Sequence, residues 1–211
     1  MDIDVFFCQG GEGLDPPDWL VELREKMADL CLTRWYSEPG VSVRVITPDL
    51  MELAGHTTPF QLSRRKYAEE STCSDIYVVA DDDCLLGSDP IVGMAVEIME
   101  SNPLVGILAL SERTGPPMVR ANVPLSDLYQ TDDLIESHAV GGVRFCRKGV
   151  VTDWPPHDPN NPYQYDSIHG PAVKKAGYIS AYAKALQMNH IGAGYSITWR
   201  GAAWRFWEEG K

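Results

Sequence analysis

The segment Ile76-Tyr77-Val78-Val79-Ala80-Asp81-Asp82-Asp83 runs an apolar stretch directly into consecutive carboxylates. A stretch of this length, rich in β-branched residues and tyrosine, predicts a strand buried on both faces. In extended chain Asp81 and Asp83 point one way and Asp82 the other. Two carboxylates at the open end of a buried strand repel each other unless a positive group sits between them. A divalent cation carrying phosphates is such a group. Mg²⁺ and Mn²⁺ favour oxygen ligands and are often held by one or two carboxylates plus substrate phosphates. The plainer alternative is an acidic turn after a strand.

The surrounding chain supplies the elements that would position these groups. Ile3–Cys8 reads as a first strand, followed by Gln9-Gly10-Gly11-Glu12-Gly13. The glycine spacing differs from the dinucleotide fingerprint. Gly10 and Gly11 either form a flexible loop or let the backbone approach a nucleotide closely. Asp15-Pro16-Pro17-Asp18 has the composition of a helix start. Leu20, Val21, Leu23, Met27, Leu30 and Cys31 then mark an apolar face as far as about residue 33. Val41–Ile46 is a second strand, closed by Thr47-Pro48-Asp49. Thr58-Pro59-Phe60-Gln61 resembles a capping box. The helix it opens carries Arg64-Arg65-Lys66, the most basic run of the chain. Arg64 or Arg65 suits phosphate oxygens left unpaired by a metal, and a solvated face is the alternative.

After the carboxylates, Asp89-Pro90 opens a helix with Ile91, Met94, Ala95, Ile98 and Met99 as its core stripe. Leu104–Leu110 is the next strand. Buried strands alternating with helices predict an α/β sandwich with a mainly parallel central sheet. The carboxylates then lie on the edge where such sheets bind ligands. Residues 111–138 read as a mobile surface insertion, with Asp127, Asp132, Asp133 and Glu136 along it. Gly141 and Gly142 lead into another strand, where glycine permits close backbone approach. Tyr165-Asp166 opens a short helix, and Tyr178–Met188 is a last strand.

An apolar strand ending in Asp-x-Asp at mid-chain resembles the metal site of GT-A-fold glycosyltransferases, here of the compact, family 2-like bacterial or phage type. The resemblance rests on motif order along residues 3 to 194. It implies a three-layer α/β/α sandwich and a nucleoside-diphosphate sugar donor, in the first instance a UDP-sugar. It also implies Mn²⁺ or Mg²⁺ held by Asp81 and Asp83. His190, after the last strand, stands where many members have a third metal ligand. Asp166 stands where inverting members have the catalytic base, although Tyr165 precedes it where Glu is usual; as a helix N-cap it would be structural. Asp49 is placed to contact the nucleotide base, or is a turn former. Arg64 and Arg65 lie where the family contacts the nucleotide or diphosphate, and Gly141 and Gly142 where it lines the donor-sugar and acceptor pocket. Some enzymes of this compact type glucosylate hydroxymethylated pyrimidines in DNA, so a modified DNA base joins saccharide and protein as acceptor candidates. Two other classes compete: a phosphatase or phosphotransferase with Asp81 as nucleophile, and a sugar-nucleotide-binding protein without turnover.

The length of 211 residues fits one domain, read as residues 1–195, with an aromatic tail at 196–211. That tail, Trp199 to Trp207, suits docking, a dimer contact or an acceptor clamp. The formal net charge of −12 opposes a broad phosphate-tracking surface and suits a site that collects a cation. Cys8, Cys31, Cys73, Cys84 and Cys146 are scattered without metal-ligand spacing and read as reduced thiols. With no apolar run of membrane-spanning length and an acidic start, the chain is expected in the cytoplasm, or the host cytoplasm if viral.

Overall fold

A computed structural model describes residues 2–8, 18–47, 61–87, 90–112, 128–137, 140–153 and 165–191. Gly10, Gly11, Asp49 and the tail at 196–211 lie outside these residues. The strands are β1 (Ile3–Cys8), β2 (Val41–Ile46), β3 (Ile76–Asp81), β4 (Cys84–Leu86), β5 (Val105–Glu112), β6 (Leu134–Glu136), β7 (Val143–Arg147) and β8 (Ile179–His190). The helices among the described residues are α1 (Asp18–Tyr36), α2 (Gln61–Ser71), α3 (Ile91–Ser101) and α4 (Tyr165–Lys175). None of them is long and apolar enough to cross a membrane.

The strands form one 8-stranded sheet in the order β2-β1-β3-β7-β5-β8-β4, with β6 also on β8. β1 pairs in parallel with β2 and β3, and β5 with β8, while β7 runs antiparallel between β3 and β5. β1, β2, β3, β5 and β8 therefore share one direction, which makes the sheet mainly parallel by orientation. β7, β4 and β6 oppose it.

Alternation within the strands builds two cores. Val5, Phe7, Val78, Ala80, Leu108, Val143 and Phe145 face a layer that contains Ala28, Cys31 and Trp35 of α1 and the buried stripe of α3. Phe6, Cys8, Tyr77, Val79, Ala109 and Cys146 face the other side, with Ala68 of α2 and Val173 of α4. Helices on both faces of the sheet make the three-layer α/β/α sandwich of a GT-A-like fold.

Several elements differ from the sequence reading. Helix α1 runs to Tyr36, and its buried stripe is Arg24, Met27, Ala28, Cys31 and Trp35, leaving Leu30 exposed. In α3 the buried residues are Ile91, Val92, Ala95, Val96 and Met99, whereas Met94 is exposed. The helix is apolar nearly all round, so composition alone does not fix which stripe meets the sheet. Within 111–138, Leu134–Glu136 is not a surface insertion. It is a buried strand paired with β8, because Leu134 and Ile135 complete the two cores.

The start of α3 is capped from outside its own sequence neighbourhood. Pro90 occupies the N-cap without a side-chain hydrogen bond. The buried Glu38 carboxylate accepts from the Ile91 and Val92 N–H groups at 3.0 and 3.1 Å. Arg34 of α1 pairs with Glu38 and donates through Nε to the Gly87 carbonyl at 2.7 Å. A carboxylate at a helix N-terminus satisfies open donors and the helix dipole together. Glu38→Ala should therefore lower stability by about 1–3 kcal/mol, measured as a fall in the urea midpoint with little change in the slope.

Candidate functional site

The carboxylates close β3 at the carboxyl edge of the parallel strands, where Asp81 pairs in register with Cys8 of β1. Asp81 continues the alternation of Tyr77 and Val79 and so belongs to the α2/α4 face. Residues 82 and 83 form a turn rather than extended chain before β4 begins at Cys84. Asp83 consequently does not share a side with Asp81, as strict alternation implies. Asp82 and Asp83 both meet Arg24 of α1 on the opposite face.

Arg24 is buried. Its guanidinium bonds the Asp82 carboxylate with one nitrogen and Asp83 Oδ2 with another, the latter at 3.0 Å. On the other face Arg144, 1% exposed, brings a guanidinium nitrogen to 3.5 Å from Asp81 Oδ2 and donates through Nε to the Val140 carbonyl. Arg144 stands in register between Val79 and Ala109, so the small Ala109 side chain leaves it room across the sheet. The acidic triplet is thus clamped by guanidinium groups from both sides of the sheet.

The antiparallel pairing of β4 with β8 supplies the remaining groups. Cys84 is in register with His190, and the Ile191 N–H donates to the Asp83 carbonyl at 2.8 Å. This brings His190 Nε2 to 3.2 Å from Asp83 Oδ1, with Cys84 Sγ 3.7 Å from the same oxygen. One ligand atom from each of Asp83, Cys84 and His190 lies within 4.8 Å of the others, an arrangement able to hold a metal ion. Asp81 is not part of this group. Burial pushes the Asp83 carboxyl up, but the hydrogen bond and charge of His190 and the charge of Arg24 outweigh it and hold the pKa at about 2.

Gly142 borders the same group. It adopts φ 70°, a left-handed conformation that favours glycine. A Cβ there would collide with Met188 Cε and stand 3.2 Å from Cys84 Sγ. Glycine thus lets the entry to β7 lie against the β4–β8 pair. The Gly141 N–H donates to the Tyr182 hydroxyl at 3.3 Å.

The basic residues of α2 separate. Arg64 and Arg65 are both buried. Burial pushes the Cys8 thiol up to about 12, and the charges acting on it are those of Arg64, Asp81, Arg144 and Asp82. Arg64 thus acts on Cys8, the register partner of Asp81. Arg65 instead acts on Tyr77 and Cys146, a registered pair roughly 13 Å back along β3 from Asp81. Asp166 lies in the first turn of α4, and its side chain is outside the described residues.

Arg24 and Arg144 were not singled out from the sequence. A signal exists for the first: Arg24 precedes Met27, Ala28 and Cys31 by three, four and seven residues, which puts it on the buried stripe of α1. A charged residue on such a stripe calls for a buried partner of opposite sign.

Comparison with known proteins bears on the fold. No family model and no curated protein sequence matches the chain. Among solved structures it is similar to A197 from STIV, with a TM-score of 0.51, 12% identity, and coverage of 89% of this chain and 84% of that one. It is also similar to TarS of S. aureus, with a TM-score of 0.56, 10% identity, and coverage of 93% of this chain. A shorter TarS structure in complex with UDP-GlcNAc gives a TM-score of 0.51 at 11% identity over 88% of this chain. The chain spans 38% of the longer TarS chain and 57% of the shorter one. At these identities the likeness defines a GT-A-like fold.

Two measurements test the clamp. Arg24→Met removes the buried guanidinium that Asp82 and Asp83 share and should cost about 3–5 kcal/mol in urea unfolding. The metal-free protein should also lose stability through Asp83 as pH falls. Its pKa is depressed in the folded state, so its contribution is full above the ordinary value of 3.8 and is lost as pH falls towards about 2. Acid titration of Asp83→Asn should show a shallower fall across that window.

Proposed function

We propose that the chain is a nucleotide-sugar-dependent glycosyltransferase that moves a sugar from a UDP-sugar to an acceptor hydroxyl with the aid of a divalent cation. The observation that carries this reading is the Asp83–His190 pair where β3 ends, with Asp83 Oδ1 3.2 Å from His190 Nε2 and Cys84 beside them. The GT-A-like fold supports it, since TarS, one structure of this shape, has been crystallised with UDP-GlcNAc.

The donor set fits a cation. Asp83 Oδ1 and His190 Nε2 face each other, while Arg24 occupies Oδ2 of the same carboxylate. Asp83 and His190 would hold the ion, and Asp81, on the other face of the sheet, would orient the ribose. A bound divalent cation neutralises charge on a departing nucleoside diphosphate. Arg64 adds positive charge for phosphate oxygens, and Arg144 fixes the Asp81 carboxylate. Gly10, Gly11 and Asp49 are assigned to the nucleotide, Gly141 and Gly142 to the sugar pocket, and Arg65 to support of α2 from within the core. Asp166 is assigned as the base that takes the acceptor proton if the transfer inverts. A saccharide or protein hydroxyl suits the net charge of −12 better than DNA does.

Thermal unfolding tests the reading. A UDP-sugar at about 100 times its dissociation constant, with Mn²⁺, should raise the midpoint by about 5–10 °C. Slow UDP release should accompany it. Asp83→Asn should abolish the Mn²⁺-dependent part of the shift. Equal shifts for Asp83→Asn and the parent, or no response to any UDP-sugar, would overturn the proposal.

A further inference from the structure

The residue that the oxygen-ligand expectation leaves out is Cys84. Its side chain is fully buried at the start of β4, in the same group as Asp83 Oδ1 and His190 Nε2. We propose that Asp83, Cys84 and His190 form a mixed oxygen–sulfur–nitrogen site that takes a zinc-like, thiophilic cation in preference to Mg²⁺. The inference rests on the reading of this edge as a cation site and names the class of ion it holds.

The distances support a small tetrahedral ion. Zn²⁺ bonds of about 2.0 Å to oxygen or nitrogen and 2.3 Å to sulfur place the atoms of a one-sulfur ligand set about 3.3–3.5 Å apart around a tetrahedron. Asp83 Oδ1 lies 3.2 Å from His190 Nε2 and 3.7 Å from Cys84 Sγ. The Cys84 and His190 ligand atoms lie within 4.8 Å of each other. Three ligands leave a fourth position open to water or a phosphate oxygen, the pattern of working rather than purely structural zinc sites. The imidazole is 25% exposed and marks the route of entry.

The ligand atoms are also held from behind. Arg24 takes Asp83 Oδ2 and so turns Oδ1 towards His190. The antiparallel register of β4 and β8 fixes Cys84 opposite His190. Gly142 leaves the space that Cys84 and Met188 fill. Sulfur and imidazole ligands suit Zn²⁺ and Co²⁺, whereas Mg²⁺ demands near-octahedral oxygen and keeps its waters. Loading replaces the Cys84 S–H bond with an Sγ–metal bond and releases the proton to solvent, with no change of oxidation state.

Cobalt titration of the full chain reads the site without any sugar nucleotide. Co²⁺ should bind at one ion per chain with a sulfur-to-cobalt charge-transfer absorption. The band should persist in Cys73→Ser, where the exposed thiol is removed, and vanish in Cys84→Ser. His190→Ala keeps the thiol and should weaken binding by roughly 100-fold or more, so it carries the test if Cys84→Ser does not fold. Zn²⁺ should displace Co²⁺ at equal concentration, and Mg²⁺ should not at a large excess. Absence of the band, its survival in Cys84→Ser, an unchanged affinity in His190→Ala, or displacement by Mg²⁺ as readily as by Zn²⁺ would overturn the proposal. Cobalt held through Cys84 with no response to any UDP-sugar sinks the transferase reading alone. A Mn²⁺-dependent UDP-sugar response without the sulfur band sinks this one alone.

Discussion

The structure depends on neutralising three adjacent carboxylates at the end of a strand whose body is wholly apolar. Uncompensated charge at such a place is expensive, because the low-dielectric interior begins one residue away. The protein meets the cost with guanidinium groups from opposite faces. Arg24 reaches through the α1 layer to Asp82 and Asp83, and Arg144 reaches along the other face to Asp81. The clamp leaves specific atoms outward: Asp83 Oδ1 on one side, and on the other an Asp81 carboxylate held in one orientation. It thereby converts an acidic turn into a directed site.

The second organising feature is the long β8. Its first half pairs with β6 and its last residues with β4, along the edge opposite β5. Register shifts in the β5–β8 ladder between Leu110 and Ser111 allow the strand to serve both. Without the β4 pairing, His190 would have no fixed relation to the acidic turn. Local sequence places the carboxylates, while long-range pairing places the imidazole and thiol beside them.

This division explains what could be read from sequence. The long apolar strands β1, β3 and β5, the helices α1 and α3, and the α/β layering were legible because burial on both faces leaves a plain mark in composition. The facing of side chains was less so. Strict alternation put Asp83 with Asp81, but a turn intervenes at 82 and 83. The largely apolar α3 hides its true stripe: Met94, expected in the core, is exposed, while Val92 and Val96 fill it. β4 and β6, three residues each, are too short to show a period and exist because β8 offers them an edge. Arg144 looks like an ordinary exposed strand residue until the register puts Val79 and Ala109 on either side of it.

Helix α1 touches the acidic segment twice. Arg24 holds its beginning, at Asp82 and Asp83, while Arg34 and Glu38 hold its end, at Gly87 and the first turn of α3. Ten residues of helix separate the two arginines, about 15 Å of rigid rod. The helix therefore acts as a splint cut to length. Replacing its solvent-facing side chains, such as Glu25, Lys26 or Asp29, leaves both fastenings in place. Inserting or deleting a single residue between positions 24 and 34 would turn one fastening by about 100° relative to the other and detach it. Variation among relatives should accordingly be free in chemistry along that outer surface and closed to any change in the number of residues.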